Sequence, residues 1–464
     1  MTAVQQDQRP AAAGPGPLPA GSSSWRLRVT APVRAVREAP RRQMRRAGIA
    51  AAVSLLLYAV VRHFIGTSMV DMIVYRAEGA AVANGHDLYA LRVTEWKLPA
   101  TYPPFAAMLF VPTTWFTVSF LRVAITLGNL ALLSLVAVLA FKLVGWPRRE
   151  VRPVGVVLVA GLGVWLEPVF TTLRYGQINL ILLCLVLWDL TRADGHRWKG
   201  VGIGIAAGMK LTPGFFAVYL LITGRVRAAF VAGLTFLATF ALGGAVLPSA
   251  TYGFWTKYLY DSSRVGKTFI VDNQSLRGVA ARFLRLEDPG LTASALAAMV
   301  AVAGLAIAAW AYRSAPWIPH AEAWGVCCAA VTALLISPIS WTHHWVWCVP
   351  ILVLLAAEAA RERSRPPAVR RSRWRVVFWL SVLAFCSFSM WLVPHKGLTN
   401  LQMNVLVQLP AGMYSWFGLC FLALAALRIR ARRRAAGEPL LRLPRQRTVP
   451  AAAAEEPQRT PAAR

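Results

Sequence analysis

The 464-residue chain predicts an all-α polytopic integral membrane protein, and three observations carry that class. It is 57% hydrophobic and only 15% charged, where a soluble chain carries about 25% charged residues. Its apolar residues form runs near the length of roughly 20 that crosses the hydrocarbon of a bilayer: Ala47 to Gly66, Val118 to Val144, Leu291 to Tyr312, Trp374 to Val393 and Asn404 to Leu427. Its basic residues crowd the two tails and the short segments between runs, the pattern of the positive-inside rule.

The net charge of +30 raises the question of nucleic acid, and its placement answers it. Residues 1–46 and 428–464 each carry a net +7, so the tails hold 14 of the 30 charges. Both are rich in Ala, Pro, Gly and Arg without periodicity, the composition of disorder. Topology and attraction to anionic lipid account for such a charge, and no nucleic-acid partner is expected. The tails are expected to be disordered and cytoplasmic, flanking a multispanning unit at 47–427. The first apolar run follows a long charged tail with no small-residue cleavage site, so it is expected to be a retained anchor. Cys184, Cys327, Cys328, Cys348, Cys386 and Cys420 all fall in apolar segments, as free packing residues do.

Taken in order, the spans alternate. Ala47 to Gly66 crosses outward, and a mixed-charge loop runs from Thr67 to Pro103. The chain returns through Val118 to Val144 to a basic stop at Trp146-Pro147-Arg148-Arg149. Val154 to Phe170 leaves, and Ile178 to Leu190 returns toward Arg192, Arg197 and Lys199. Val201 to Ile222 breaks the pattern, because Arg197 and Lys199 precede it while Arg225 and Arg227 follow it. One straight crossing would put one of these clusters outside. Two half-helices turning at Lys210-Leu211-Thr212-Pro213 satisfy both, and non-helical backbone at that depth needs protein or a wet cavity around it. The spacing therefore predicts a re-entrant broken pair. Phe230 to Leu247, Leu291 to Tyr312, Trp324 to Ile336, Trp345 to Ala360 and the last two runs complete about ten crossings, with both termini cytoplasmic.

Polar groups in or near a bilayer are costly and mark function by default. In this topology they gather at the extracytoplasmic end: Asp71, Thr101-Tyr102-Pro103-Pro104, Arg174-Tyr175-Gly176-Gln177 with Asn179, Lys210 at the re-entrant tip, Asp272-Asn273-Gln274-Ser275, and Ser337 to Trp345 with His343 and His344. An outward-facing cavity lined by them is the simplest account. Each also has a plainer reading. Asp71 suits a helix cap, Lys210 a snorkelling position, and Gln177 and Asn179 interhelical hydrogen bonds. Tyr102-Pro103-Pro104 suits an extended entry to a helix. No Cys or His spacing suggests a metal site, and neither a Walker loop nor a dinucleotide fingerprint is present. No metal or other cofactor is expected.

The ordered set of an early Asp, Tyr-Pro-Pro, Gly-Gln-x-Asn, Lys-x-Thr-Pro, Asn-Gln-Ser and Ser-Pro-x-Ser-Trp-x-His-His resembles the polyprenol-phosphate-mannose-dependent α-mannosyltransferases. These form glycosyltransferase family 87, within the multispanning GT-C fold class, and the resemblance covers roughly residues 47–427. It implies an inverting transfer of mannose from a polyprenyl-phosphate donor to a glycolipid or cell-envelope glycan, outside the cell membrane. By similarity Asp71 is the general base, and Lys210 and His344, with His343 as an alternative, lie at the donor phosphate. Tyr102, Arg174, Gln177, Asn179, Asn273 and Gln274 are implied in substrate binding. A carboxylate suits a hydroxyl nucleophile that must lose its proton, and a phosphate leaving group needs cations and donors rather than an acid. Two rivals stand beside this reading: a polytopic lipid or sugar transporter, and a related transferase using another lipid-linked sugar such as arabinose. Transporters place polar groups at the midplane of repeated halves, and neither feature is visible here.

Overall fold

The computed structural model describes residues 41–66, 68–366, 371–395 and 397–437. Most of both tails lies outside them, though Arg41 to Arg46 belong to the first helix and Arg428 to Ala435 to the last rather than to tails. The described residues are helical throughout, with two isolated bridges, Val93 to Leu98 and Asn273 to Trp341, in place of a sheet.

α1 (Arg41–Ile65) is followed by α2 (Val70–Ala83) and α3 (Pro104–Phe110), two short helices within the first long connection. α4 (Val118–Val144) ends at Gly145 and matches its expected span to the residue. α5 (Arg152–Leu162) and α6 (Glu167–Tyr175) were expected as parts of one straight span; instead the chain turns by 76° between them. Leu166 is extended at the corner and Pro168 opens the next helix, a position where its missing N–H costs nothing. α7 (Asn179–Leu190) then runs back.

α8 (Val201–Met209) and α9 (Phe215–Ile222) are the halves of the broken pair, joined through an extended Lys210 and a 3₁₀ turn at Thr212–Gly214. α10 (Val226–Val246) shows how they lie. A Cβ added to Gly204 would sit 2.6 Å from the Ala232 carbonyl, and one added to Gly208 would run into Thr239. So α8 climbs alongside α10 at backbone contact, and α9 descends to the turn that starts α10. Both outer ends return to one place: Lys199 and Arg225 reach the same Asp194 carboxylate, at 2.7 and 4.0 Å. The pair is re-entrant.

α11 (Pro248–Thr256), α12 (Leu276–Leu284) and the loops between them connect α10 to the next long helix. α13 (Gly290–Arg313), α14 (Ala321–Ile336), α15 (Cys348–Arg363), α16 (Arg373–Cys386), α17 (Val405–Ala411) and α18 (Met413–Ala435) close the bundle. Among the described residues six helices are long and apolar enough to cross a membrane, or seven if the bent α5–α6 pair counts as one span. The remaining expected crossings fall on α7, α14 and α16, of 12, 16 and 14 residues. At 1.5 Å per residue these fall short of a bilayer core of about 30 Å. Hydropathy counted them because α7 and α14 are core helices, apolar on every side and packed inside the protein. No disulfide forms; Cys184, Cys327, Cys328 and Cys348 are buried, while Cys386 and Cys420 are exposed.

Candidate active site

The site forms where the re-entrant tip meets three other breaks in the helical bundle. α8 stops because Lys210 adopts φ −154°, ψ 124°, and Pro213 cannot continue the ladder. α6 stops at Gly176, whose φ of +71° and absent Cβ let the turn lie against Met69 and Met72 of the α2 entry. The amide of Met69 donates to the Arg174 carbonyl at 3.0 Å. These two turns bring Asp71, at the start of α2, against Gln177. The third break, the 3₁₀ turn Thr342–Trp347 before α15, delivers His344.

Gln177 Nε2 donates to Asp71 Oδ2 at 2.6 Å. Its other amide atom, Oε1, accepts from the Tyr75 hydroxyl at 2.9 Å, and that hydroxyl lies 2.9 Å from the Tyr102 hydroxyl. Lys210 Nζ lies 2.8 Å from His344 Nε2 and 5.6 Å from the centre of the Tyr102 ring. A protonated lysine donates only to an unprotonated ring nitrogen, which places the His344 proton on Nδ1 and leaves that ring neutral. Lys210 is then the charge and His344 its tether. α2 is too short to cross a membrane, and burial there pushes the Asp71 carboxyl up to about 6, against the opposing pull of the Gln177 hydrogen bond and Lys210. Glu78, two turns along α2, is fully buried beside the Thr101 backbone and pushed up to about 8 by the same loss of solvent.

Asp71, Tyr75, Tyr102, Gln177, Lys210 and His344 all line one cavity of about 770 Å³. Its far end is an apolar groove where Ile203, Ala207, Phe215, Val218 and Phe236 face one another across the re-entrant pair and α10. Polar chemistry at one end and a greasy channel at the other suit a lipid with a charged head.

Residues 100–338 match the model of glycosyltransferase family 87. Over 325 residues the chain is 35% identical to a polyprenol-phosphate-mannose-dependent alpha-(1-2)-phosphatidylinositol pentamannoside mannosyltransferase of Mycobacterium tuberculosis, covering 67% of this chain and 70% of that one. The chain belongs to glycosyltransferase family 87. Two polyprenol-phosphate-mannose-dependent alpha-(1-2)-phosphatidylinositol mannoside mannosyltransferases are similar over more of their length. One, of Mycolicibacterium smegmatis, is 30% identical across 77% of this chain and 83% of its own; the other, of M. tuberculosis, is 31% identical across 78% and 86%. No solved structure matches. This family 87 chain is a multi-pass membrane glycosyltransferase, and the transporter reading falls away as its main activity.

The remaining expected site residues divide. His344 faces the cavity, whereas the His343 ring packs edge-on against Tyr175 at 5.7 Å. Asn179 Nδ2 donates to the His343 carbonyl at 3.0 Å, joined by Thr172 Oγ1 at 3.3 Å, so these two hold the backbone that aims His344. Arg174 points away from the cavity, over Tyr175 and Trp391. Asn273 and Gln274 are wholly buried and do not line the cavity. Asn273 donates to the Thr268 and Pro338 carbonyls and accepts from the Ser275 and Ser340 amides. Gln274 donates to Val271 and Ala411 and accepts from Tyr414. Their amides are consumed by backbone, leaving nothing to offer a substrate. Three relevant residues were missed in the sequence. Tyr75 and Arg264 line the cavity, and buried Glu167 accepts from Thr171, Trp391 and Tyr414. An acidic residue beside a proline inside an apolar run was the available signal for Glu167.

Asn273→Ala should therefore act on folding. It strands the Ser275 and Ser340 amides and the Thr268 carbonyl, each buried unsatisfied group costing about 1–3 kcal/mol, while the Pro338 carbonyl keeps the Ser275 hydroxyl. We expect a lower Tm in detergent with the donor KM unchanged in whatever fraction remains folded; a normal Tm with a raised donor KM would return Asn273 to the substrate.

Proposed function

We propose that this transferase moves mannose from a polyprenyl-phosphate donor to a phosphatidylinositol mannoside-like glycolipid, with inversion and on the extracytoplasmic side. The observation that carries the proposal is the single cavity in which Asp71 and the Lys210–His344 pair face each other, continuous with the apolar groove. The polyprenyl chain lies in the groove, which places its phosphate at Lys210. Mannose rather than arabinose is supported by the names of the similar proteins, as are the glycolipid acceptor and a new alpha-(1-2) bond.

In the reaction the acceptor hydroxyl gives its proton to Asp71 as its oxygen bonds to the anomeric carbon. The phosphate leaves with the bonding electron pair. Lys210 meets the developing dianion in a site with little water, where a fixed charge is worth far more than in solution. Arg264 is a second cation on the cavity wall, held to the Tyr89 carbonyl at 2.9 Å. One carboxylate acting through the acceptor oxygen gives one displacement, so a β-linked donor yields an α-linked product.

Asp71→Asn should lower turnover by about 10²–10⁴, the usual share of a general base, with donor affinity unchanged. In the wild type the base must be ionised, and its carboxyl is raised to about 6. Rate should therefore climb with pH until about 6 and then level. Normal turnover by the Asn variant would dismiss Asp71 as the base.

Lys210→Ala should raise the donor KM roughly ten- to a hundredfold, the scale of a lost charge-assisted hydrogen bond of about 1.5–3 kcal/mol. An unchanged donor KM would place the phosphate elsewhere in the cavity.

Orientation has its own test. In a cysteine-free background, Cys at exposed Ser263 should react with an impermeant thiol reagent in intact cells, and Cys at exposed Ser364 should not. Labelling of the second site in sealed cells would reverse the proposed sidedness.

A further inference from the structure

A group of side chains outside the donor cavity has no part in the chemistry above. Arg174, Tyr175, Asp272, Trp391 and His395 are all half-buried, and none lines that cavity. The Trp391 and His395 rings stack face to face, 5.0 Å apart with an 8° interplanar angle. The Trp391 indole N–H is fixed by Glu167 at 2.9 Å. The Arg174 guanidinium lies 5.8 Å from the Tyr175 ring centre and 6.0 Å from that of Trp391, and its buried Nε has no hydrogen-bond acceptor. His395 Nε2 and Asp272 Oδ1 stand 3.7 Å apart, facing without a good hydrogen bond, and the carboxylate raises the His395 pKa.

The position of this group relative to Asp71 gives it meaning. Met69, two residues before Asp71, is bonded to the Arg174 backbone. The Tyr175 hydroxyl feels both the Asp71 and the Asp272 carboxylates. Between Tyr175 of this group and Lys210 stand the rings of His343 and His344, each edge-on to the next. Asp71 thus neighbours both the lysine assigned to the donor phosphate and this group. In a displacement with inversion, the attacking hydroxyl approaches from the face opposite the leaving phosphate.

We propose that Arg174, Tyr175, Asp272, Trp391 and His395 form an acceptor subsite that binds the sugar next to the one whose hydroxyl Asp71 activates. The chemistry fits a neutral pyranose. Its axial C–H face is apolar and lies on an aromatic ring. Its hydroxyl rim needs both donors and acceptors, supplied by the Arg174 N–H groups, the Asp272 carboxylate and the His395 imidazole. The assignment rests on the transferase reading and adds the acceptor's length to it: the enzyme recognises at least two sugars.

The test uses the purified full-length enzyme with polyprenyl-phosphate-mannose and alkyl mannosides bearing one, two or three mannose units. The wild type should use the longer acceptors at lower KM than the single-mannose one. His395→Ala and the near-isosteric Asp272→Asn should each raise the KM for the longer acceptors roughly three- to tenfold, the scale of one lost hydrogen bond. The donor KM and the KM for the single-mannose acceptor should stay as in the wild type. A clamp that only joins two outer loops would instead lower Tm and slow every acceptor alike, and that result overturns the subsite. So does a preference for longer acceptors that survives both substitutions. Wild-type enzyme that transfers mannose to none of these acceptors removes the parent reading itself, a failure visible before any variant is made.

Discussion

A half-buried lysine ammonium on the wall of the cavity is the constraint on which the rest of the structure depends. Its charge is costly away from water unless the surroundings supply partners. Lys210 has three: the His344 ring nitrogen at 2.8 Å, the face of Tyr102 and the field of the Asp71 carboxylate. Each sets a demand on a different part of the chain. To place an ammonium there, α8 must stop after nine residues, and the chain must return without crossing. The return works because Lys199 and Arg225 share the Asp194 carboxylate at the base. The climb works because Gly200, Gly204 and Gly208 let α8 run at backbone contact with α10. Remove any of these and the charge loses its place.

The carboxylate opposite is tuned by the same geometry. Burial would neutralise Asp71 if nothing opposed it; the Gln177 amide and the nearby cation pull the other way. The outcome, a carboxyl near 6, is ionised at neutral pH yet more basic than a solvated aspartate, which suits the proposed general base. The ionised Asp71 carboxylate only accepts, so it meets the Gln177 NH2, and this turns the amide oxygen toward the Tyr75 hydroxyl. A neutral hydrogen-bond chain orients the base without adding a charge.

What was legible in the sequence is what hydropathy and charge report directly. Val118 to Val144 is delimited by Thr117 and Gly145, a cap and a stop written in residue type. The re-entrant pair is legible because basic clusters on both flanks forbid a crossing, a statement about charge alone. The bend after Leu166 was not legible: Gly163, Glu167 and Pro168 sit in a run apolar enough to pass as one span, and only tertiary packing makes Glu167 affordable. Asn273 and Gln274 show a different limit. A buried amide looks the same in sequence whether it grips a sugar or a carbonyl, and here the irregular loops at 266–275 and 337–341 need every amide for their own backbone. His343 and His344 could not be told apart for a similar reason. Which ring faces the cavity depends on Asn179 and Thr172 holding one carbonyl, more than 160 residues away in the chain.

Glu167 links these pieces. It sits at the first residue of α6, and Thr171, Trp391 and Tyr414 all donate to it, so α6, the loop before α17 and the start of α18 meet at one carboxylate. α6 is only nine residues long, and its other end carries Arg174, Tyr175 and, past Gly176, Gln177. The helix that presents Gln177 to Asp71 on one side therefore presents Arg174 and Tyr175 on the other, with Trp391 pinned beside them by Glu167. A short helix anchored at its base is stiff compared with a loop, so the spacing between the base and the aromatic group beyond it is set by covalent geometry rather than by side-chain choice. The chain turns by 76° before α6, and it is Gln177, just past the end of that helix, that reaches the cavity and Asp71.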